Sequence, residues 1–210
     1  MKPVSDPSFP DGLEIEVKFY VADLSRMRDA ILSIGAREMG KTFEDNIRFD
    51  DRGRTLAENR CLLRLRMESD GKVTLTFKAP PFQEDPRFKV FREHEVRVDD
   101  AGRMTAILEG LGYHPVQRYE KWRDLFDLNG VTLCLDELPF GTFLEIEGEK
   151  NGILHASRAL GLDWESRITE NYLSLFERIR RDLALSFTDV TFDHFKGIRF
   201  SPEWFFSPTN

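Results

Sequence analysis

The sequence predicts an α+β domain in which helices pack against an antiparallel sheet, and three observations predict it. Short runs alternate charged with apolar residues at the period of a strand, as in Glu14-Ile15-Glu16-Val17-Lys18-Phe19 and Leu63-Arg64-Leu65-Arg66-Met67. Ser69-Asp70-Gly71 and Asn129-Gly130 supply hairpin turns between such runs. Elsewhere apolar residues recur at helical spacing and stop at a glycine, as Leu24, Met27, Ile31 and Ile34 do before Gly35.

Taken in order, residues 1–12 carry Pro3, Pro7, Pro10 and Gly12 and read as an arm before the first strand. The domain proper is expected over 13–186. Its first strand holds Glu14, Glu16 and Lys18 on one face and Ile15, Val17 and Phe19 on the other, with same-face neighbours roughly 6.5–7 Å apart. Asp23 is a candidate cap for the helix that follows. Gly35-Ala36-Arg37-Glu38-Met39-Gly40-Lys41-Thr42 then matches the nucleotide-binding P-loop pattern. That loop needs a strand before it and a helix after it, and here the order is reversed, so the stretch reads as a helix-to-strand connection into Asn46–Phe49.

Two alternating runs, 61–67 and 73–78, form a hairpin with Arg64 and Arg66 on one face and Thr74, Thr76 and Lys78 on another; Pro80, Pro81 and Pro86 mark a loop. Glu93-His94-Glu95-Val96-Arg97 and the helix after it echo the opening strand and helix, a weak duplication that predicts acid rows facing each other from opposing sides. Further strands carry Lys121 and Arg123, Asp136, and Glu145 and Glu147. Two helices follow, around 154–160 and from about Glu170, with Thr169 as a candidate cap for the second. The tail, 187–210, holds Phe187, Phe192, Phe195, Phe200, Trp204, Phe205 and Phe206. Such aromatic density is expected on the outside of this chain's own sheet, with a partner subunit or the site itself as the alternatives.

With 210 residues, 40% hydrophobic and 32% charged, the chain fits one domain. A net charge of −7 argues against nucleic acid as a partner. The two cysteines, Cys61 and Cys134, imply neither a disulfide framework nor a zinc site, and a reducing cytoplasm is the expected home. Neither a signal-like apolar stretch nor a run of membrane-spanning length occurs, so no membrane partner is expected.

The charged rows admit two readings, because a sheet with one face in water alternates in the same way as one that closes around a charged interior. In the second case about eight strands enclose a lumen that holds one small ligand. Carboxylates buried beside cations must be paired or metal-bound. A polyanion with divalent metals satisfies both signs: guanidinium and ammonium groups hold phosphate oxygens, and the acids supply the hard oxygens that Mg²⁺ or Mn²⁺ prefer.

Glu14-x-Glu16-x-Lys18 resembles the ExExK motif of the CYTH family, the triphosphate tunnel metalloenzymes that include class IV adenylate cyclases and thiamine triphosphatases. Leu63-Arg64-Leu65-Arg66, Leu75-Thr76-Phe77-Lys78, Lys121-x-Arg123, Leu135-Asp136-Glu137 and Gly141–Glu147 agree in order, over roughly Leu13 to Phe176. The resemblance implies an eight-stranded antiparallel β-barrel forming a triphosphate tunnel. It also implies Glu14, Glu16, Asp136, Glu145 and Glu147 as metal ligands and Arg64, Arg66, Lys78, Lys121 and Arg123 as phosphate-binding residues. Lys18 would position or activate the nucleophile, as a base where cationic neighbours lower its pKa. The chain departs from the family where Asp45-Asn46-Ile47-Arg48 stands in place of an Asp-Thr-Tyr-like run, which leaves Asp45 without an assigned role. The expected activity is metal-dependent hydrolysis of a phosphoanhydride in an organic or inorganic triphosphate. The alternatives are a class IV adenylate cyclase and a non-catalytic polyphosphate sensor. A homodimer is consistent with the tail and with the family.

Overall fold

Alternating apolar residues need a cover on one face, and here the cover lies outside the sheet. The computed structural model describes residues 12–198. Its strands are β1 (Leu13–Tyr20), β2 (Arg37–Asp50), β3 (Leu62–Glu68), β4 (Val73–Ala79), β5 (Lys89–Arg97), β6 (His114–Leu128), β7 (Val131–Leu138) and β8 (Gly141–Glu147). They close into an antiparallel barrel in the order β1-β5-β4-β3-β2-β6-β7-β8. The flanking helices are α1 (Leu24–Ser33), α2 (Thr55–Glu58), α3 (Ala101–Gly110), α4 (Lys150–Ala159) and α5 (Tyr172–Asp182).

Three apolar clusters hold these layers together. Val17, Phe19, Phe126, Leu133, Leu144 and Ile146 point out of the barrel and are buried with Ile31 of α1 and Ile153 and Ala156 of α4. Phe49, Leu63 and Leu65 do the same with Leu108 of α3. A third cluster joins Tyr119, Phe140 and Phe143 to Tyr172, Phe176 and Ile179 of α5. Such burial of large apolar side chains is the main driving force for the fold.

Local chemistry sets the element ends. Asp23 caps α1 by accepting from Arg26 N at 3.0 Å, and Gly35 follows the helix at φ 88°. The cap of α5 is Asn171, which accepts from Ser174 N at 2.8 Å, and not Thr169; an asparagine two residues later serves at least as well. The P-loop-like stretch is not a connection beyond Ala36, because β2 already starts at Arg37. Gly40, at φ 128°, sits where the β2–β6 register shifts, so its glycine serves a β-bulge.

Two arrangements differ from expectation. The echoing strands β1 and β5 are neighbours, with Leu13 opposite Arg92 and Glu16 opposite Lys89, so their acid rows lie side by side instead of facing each other. The β1–β5 pairing covers only Leu13–Glu16. Beyond it, Lys18 exchanges backbone hydrogen bonds with Ile168 at 3.0 and 2.7 Å. The second difference is α2, which the sequence reading did not contain; Asp50 caps it by accepting from Leu56 N and Ala57 N, both at 3.0 Å.

In the tail, Val190 pairs in parallel with Tyr119, and Phe187 and Phe195 pack on Phe176. Phe192 lies 6.3 Å from the ring of Phe43. Phe200, Trp204, Phe205 and Phe206, like the arm before Gly12, lie outside the described residues. Among the described residues, no helix is long and apolar enough to cross a membrane.

Phe176→Ala is expected to cost about 3–5 kcal/mol of stability through the cavity it leaves. Phe82→Ala, at a side chain 91% exposed, is expected to change stability by less than about 0.5 kcal/mol. Urea unfolding of both variants checks this, and similar losses at the two positions would contradict the packing.

Candidate active site

Barrel closure puts one face of every strand inside, and on all eight strands that face carries charge. Glu14, Glu16 and Lys18 of β1, Arg64 and Arg66 of β3, and Lys78 of β4 line a cavity of about 1080 Å³. Glu93 and Glu95 of β5, Lys121 and Arg123 of β6, and Glu145 and Glu147 of β8 line the same space. Of the two readings of the charged rows, the charged interior is the one the fold adopts. Asp136 of β7 shares this face but is fully buried and does not line the cavity.

Lys18, 1% exposed, sits between two carboxylates: it pairs with Glu16 and lies 2.7 Å from Glu145 Oε2. Its ammonium also lies 5.1 Å from the ring centre of Tyr172. Burial alone would lower its pKa, but Glu145 and Glu16 outweigh burial and raise it above the ordinary lysine value. The ammonium therefore keeps its proton. A base role required cationic neighbours, and the neighbours are anionic.

The acids fall into two environments. Burial and the charge of Glu145 push Glu16 up, yet Lys18, Lys89 and Lys78 win and hold its pKa at about 2. Glu147 goes the other way, well above the usual carboxylate value, because burial and the adjacent Glu145 both penalise its charge. Glu14, Glu16 and Glu147 each bring an oxygen to within 4.8 Å of the others. A crowded set of hard oxygens suits Mg²⁺ or Mn²⁺ by donor chemistry, and a divalent charge would relieve the repulsion between Glu145 and Glu147. Cys134 with Glu145 and Glu147 meets the same distance. Burial, however, drives the Cys134 thiol pKa well up, and a protonated thiol is a poor ligand for a hard cation.

The cations are held by these acids and by residues behind them. Arg123 donates to both oxygens of Asp136 at 2.7 Å and to Glu145 at 2.7 Å. Lys121 and the Tyr172 hydroxyl also donate to Asp136, at 3.1 and 2.9 Å. Asp136 is thus saturated by protein donors. Arg64 donates to the Tyr119 hydroxyl and to Thr76, both at 3.1 Å, and lies 3.4 Å from Glu95. Its Nε is buried with no hydrogen-bond partner among the described residues. Arg66 lies 3.3 Å from both Asn46 and Glu44, and Lys78 bridges Glu14 and Glu93.

Several interior residues escaped the sequence reading. Glu44, 1% exposed, lies 3.5 Å from Lys121 and 3.8 Å from Arg123 behind the cation row. Lys89 sits 2.5 Å from Glu16. The parity of Glu44, Asn46 and Arg48 along β2 is the signal that would have found the first, had the strand been taken to begin before Asn46. Asp45 has the opposite parity and pairs with Arg118 at 2.7 Å, away from the interior.

Against this geometry, comparison with known proteins gives consistent matches. The model of the CYTH domain family matches residues 12–159. A Methanocaldococcus jannaschii protein, provisionally named an adenylate cyclase, is 28% identical over 174 residues, covering 78% of this chain and 98% of that protein. A Vibrio parahaemolyticus structure with the same provisional name superposes with a TM-score of 0.71 at 20% identity, over 79% of this chain and 98% of that one. A Hippeastrum protein provisionally called an adenylyl cyclase, and described as having a dominant triphosphatase activity, gives 0.57 at 19% identity, over 79% and 94%. At those identities the two structural likenesses bear on the fold.

Glu93 supplies a pH test. Burial, Glu14 and Glu95 raise its pKa to about 7 against the pull of Lys78. A carboxyl raised in the folded state binds its proton there and not in the unfolded chain between about pH 4.5 and 7, so stability falls as pH rises through that window. In chelated buffer, Glu93→Gln is expected to remove on the order of 1 kcal/mol of that decline. Thermal melts of both proteins between pH 4.5 and 8 measure it, and parallel curves would refute the assignment.

Proposed function

Because the chain belongs to the CYTH family, we propose that its cavity is the site of a metal-dependent enzyme that processes a triphosphate by hydrolysing a phosphoanhydride. The observation that carries this reading is the convergence of Glu14, Glu16 and Glu147 within 4.8 Å beside a wall of five cations in one cavity. A divalent cation on Glu14, Glu16 and Glu147, when bound, supplies Lewis-acid neutralisation of phosphate oxygens.

Arg64, Arg66, Lys78, Lys121 and Arg123 hold the phosphate chain, the arginines through their forked donors. Arg64 has a buried Nε left over for that purpose. Asp136, with its oxygens committed to Arg123, Lys121 and Tyr172, orients two of these cations in preference to binding metal. Glu145 now neutralises Lys18 and Arg123, and a phosphate that draws on those cations frees it to join the metal shell. Lys18, protonated, stabilises charge on the phosphoryl group as water attacks phosphorus and the bridging P–O bond breaks.

The provisional names of the Methanocaldococcus and Vibrio relatives favour a second reading. It is a class IV adenylate cyclase, in which the ribose 3′-hydroxyl attacks the α-phosphorus and pyrophosphate leaves. Hydrolysis asks less of the site, because the charged lining accounts for phosphates and metal and no seat for a base is required. The description of the Hippeastrum protein points the same way.

Incubation with Mg²⁺ or Mn²⁺ and inorganic triphosphate, thiamine triphosphate or ATP is expected to release orthophosphate. Formation of cAMP and pyrophosphate would establish the cyclase instead, and tight binding without turnover a sensor. Glu16→Gln and Glu147→Gln are each expected to lower kcat/KM by about 10²-fold or more with the circular dichroism spectrum unchanged. Full activity in both would remove the metal assignment. Lys18→Ala is expected to lower kcat more than it raises KM; the reverse would make Lys18 a binding group.

A further inference from the structure

We propose that Arg48, with Arg54 and Arg181, forms an additional phosphate subsite at the α2–α5 side of the cavity, so that the preferred substrate carries a chain of four or more phosphoryl groups. The proposal rests on the triphosphate reading above and extends it by one subsite. The β2–β3 register places Arg48 directly opposite Arg64. Residues opposite one another share a face, and both side chains line the cavity. Like charges in that relation are unfavourable unless an anion lies between them.

Arg64 is offset by Glu95 at 3.4 Å, whereas Arg48 has no carboxylate within ion-pair distance among the described residues; Asp50 and Glu177 act on it only from farther away. Its hydrogen bond, at 2.9 Å, goes from Nη1 to the neutral Gln117 amide oxygen. The acids nearby have other partners. Asp50 caps α2 and lies 3.8 Å from Arg54 Nε, while Glu177 pairs with Arg180 at 2.9 Å. Arg54, immediately before α2, and Arg181, near the end of α5, line the same cavity. Among the described residues, the side chain of Arg181 donates only to a backbone carbonyl, that of Glu177, at 3.3 Å. Burial, and after it the charge of Arg54, lower the pKa of Arg48 against the opposing pull of Tyr119, Asp50 and Glu177.

Elsewhere in the interior each cation row is matched by an acid row. Here positive charge is in surplus, on guanidinium groups whose forked donors fit phosphate. Neighbouring strands lie about 4.8 Å apart, so a chain seated on Arg64 reaches Arg48 without leaving the cavity. Metal ligands are not involved on this side; Glu14, Glu16 and Glu147 stand on β1 and β8.

The test compares inorganic triphosphate, inorganic tetraphosphate and adenosine 5′-tetraphosphate. Dissociation constants are measured by calorimetry with Mg²⁺ in the Lys18→Ala background, and kcat/KM in the otherwise unaltered enzyme. Inorganic tetraphosphate is expected to bind about tenfold more tightly than triphosphate, one charge-assisted contact's worth. Arg48→Gln is expected to erase most of that preference and Arg48→Lys to retain part of it. Arg181→Gln, at an exposed helix position where folding is not at risk, is expected to reduce it. An equal gain for adenosine 5′-tetraphosphate assigns the subsite to nucleoside polyphosphates, and a gain confined to the inorganic chain assigns it to free polyphosphate. Equal affinity for three and four phosphoryl groups, or equal weakening of both by Arg48→Gln, overturns the proposal. An Arg48-dependent preference without any hydrolysis would overturn the hydrolase reading and leave the subsite standing.

Discussion

Charges inside a closed barrel must find partners among themselves, because an unpaired buried ion costs several kcal/mol. This chain meets that constraint by threading acids and bases alternately around the interior. Lys18 lies between Glu16 and Glu145, Lys78 between Glu14 and Glu93, and Arg123 between Asp136 and Glu145. Each pairing also fixes where a side chain points. The same constraint makes ligand binding an exchange of partners. A phosphate that takes Arg123 or Lys18 releases a carboxylate, and a divalent cation that takes a carboxylate releases an ammonium or guanidinium group. On the function proposed above, metal and phosphate would therefore assist each other's binding, and by linkage the assistance would be equal in both directions.

The periodic part of this arrangement was legible in the sequence, since a strand's two faces are written in alternate residues. Glu14, Glu16, Lys18, Arg64, Arg66, Lys78, Lys121, Arg123, Glu145 and Glu147 share the inner face for that reason. What parity cannot tell is depth. Asp136 has the inward parity yet is walled off by Arg123, Lys121 and Tyr172, a fact set by side chains from β6 and α5. Nor does it tell which strands adjoin. Lys89 meets Glu16 only because β5 lies beside β1, and two similar strands far apart in sequence read equally well as opposing walls. Glu44 is hidden by an underestimate of β2, whose first residues contain a glycine that looks like a connection but serves a bulge.

α5 joins the two chemistries of the interior. Its first residue, Tyr172, hydrogen-bonds Asp136 and lies beneath the ammonium groups of Lys18 and Lys121. One turn on, Phe176 packs against Phe140 and takes Phe187 and Phe195 of the tail on its other sides. The helix therefore anchors charged groups with one residue and the aromatic cluster with the next turn. Arg178 and Arg181 continue along the same helix at the cavity wall.

The short seam between β1 and β5 has a kinetic consequence. β1 pairs with β5 through four residues and with β8, more than a hundred residues along the chain, through five. Ile168, later still, supplies the remaining backbone partner for Lys18. Contacts of such sequence separation form late, since the entropy of closing the intervening loops must be met first. Glu14, Glu16 and Lys18 all lie on the strand that waits. A chain still emerging, or folded only through β6, carries the cations of β3, β4 and β6 but cannot yet bring the glutamates of β1 and β8 together. The convergence of Glu14, Glu16 and Glu147 comes into being in the same event that closes the barrel.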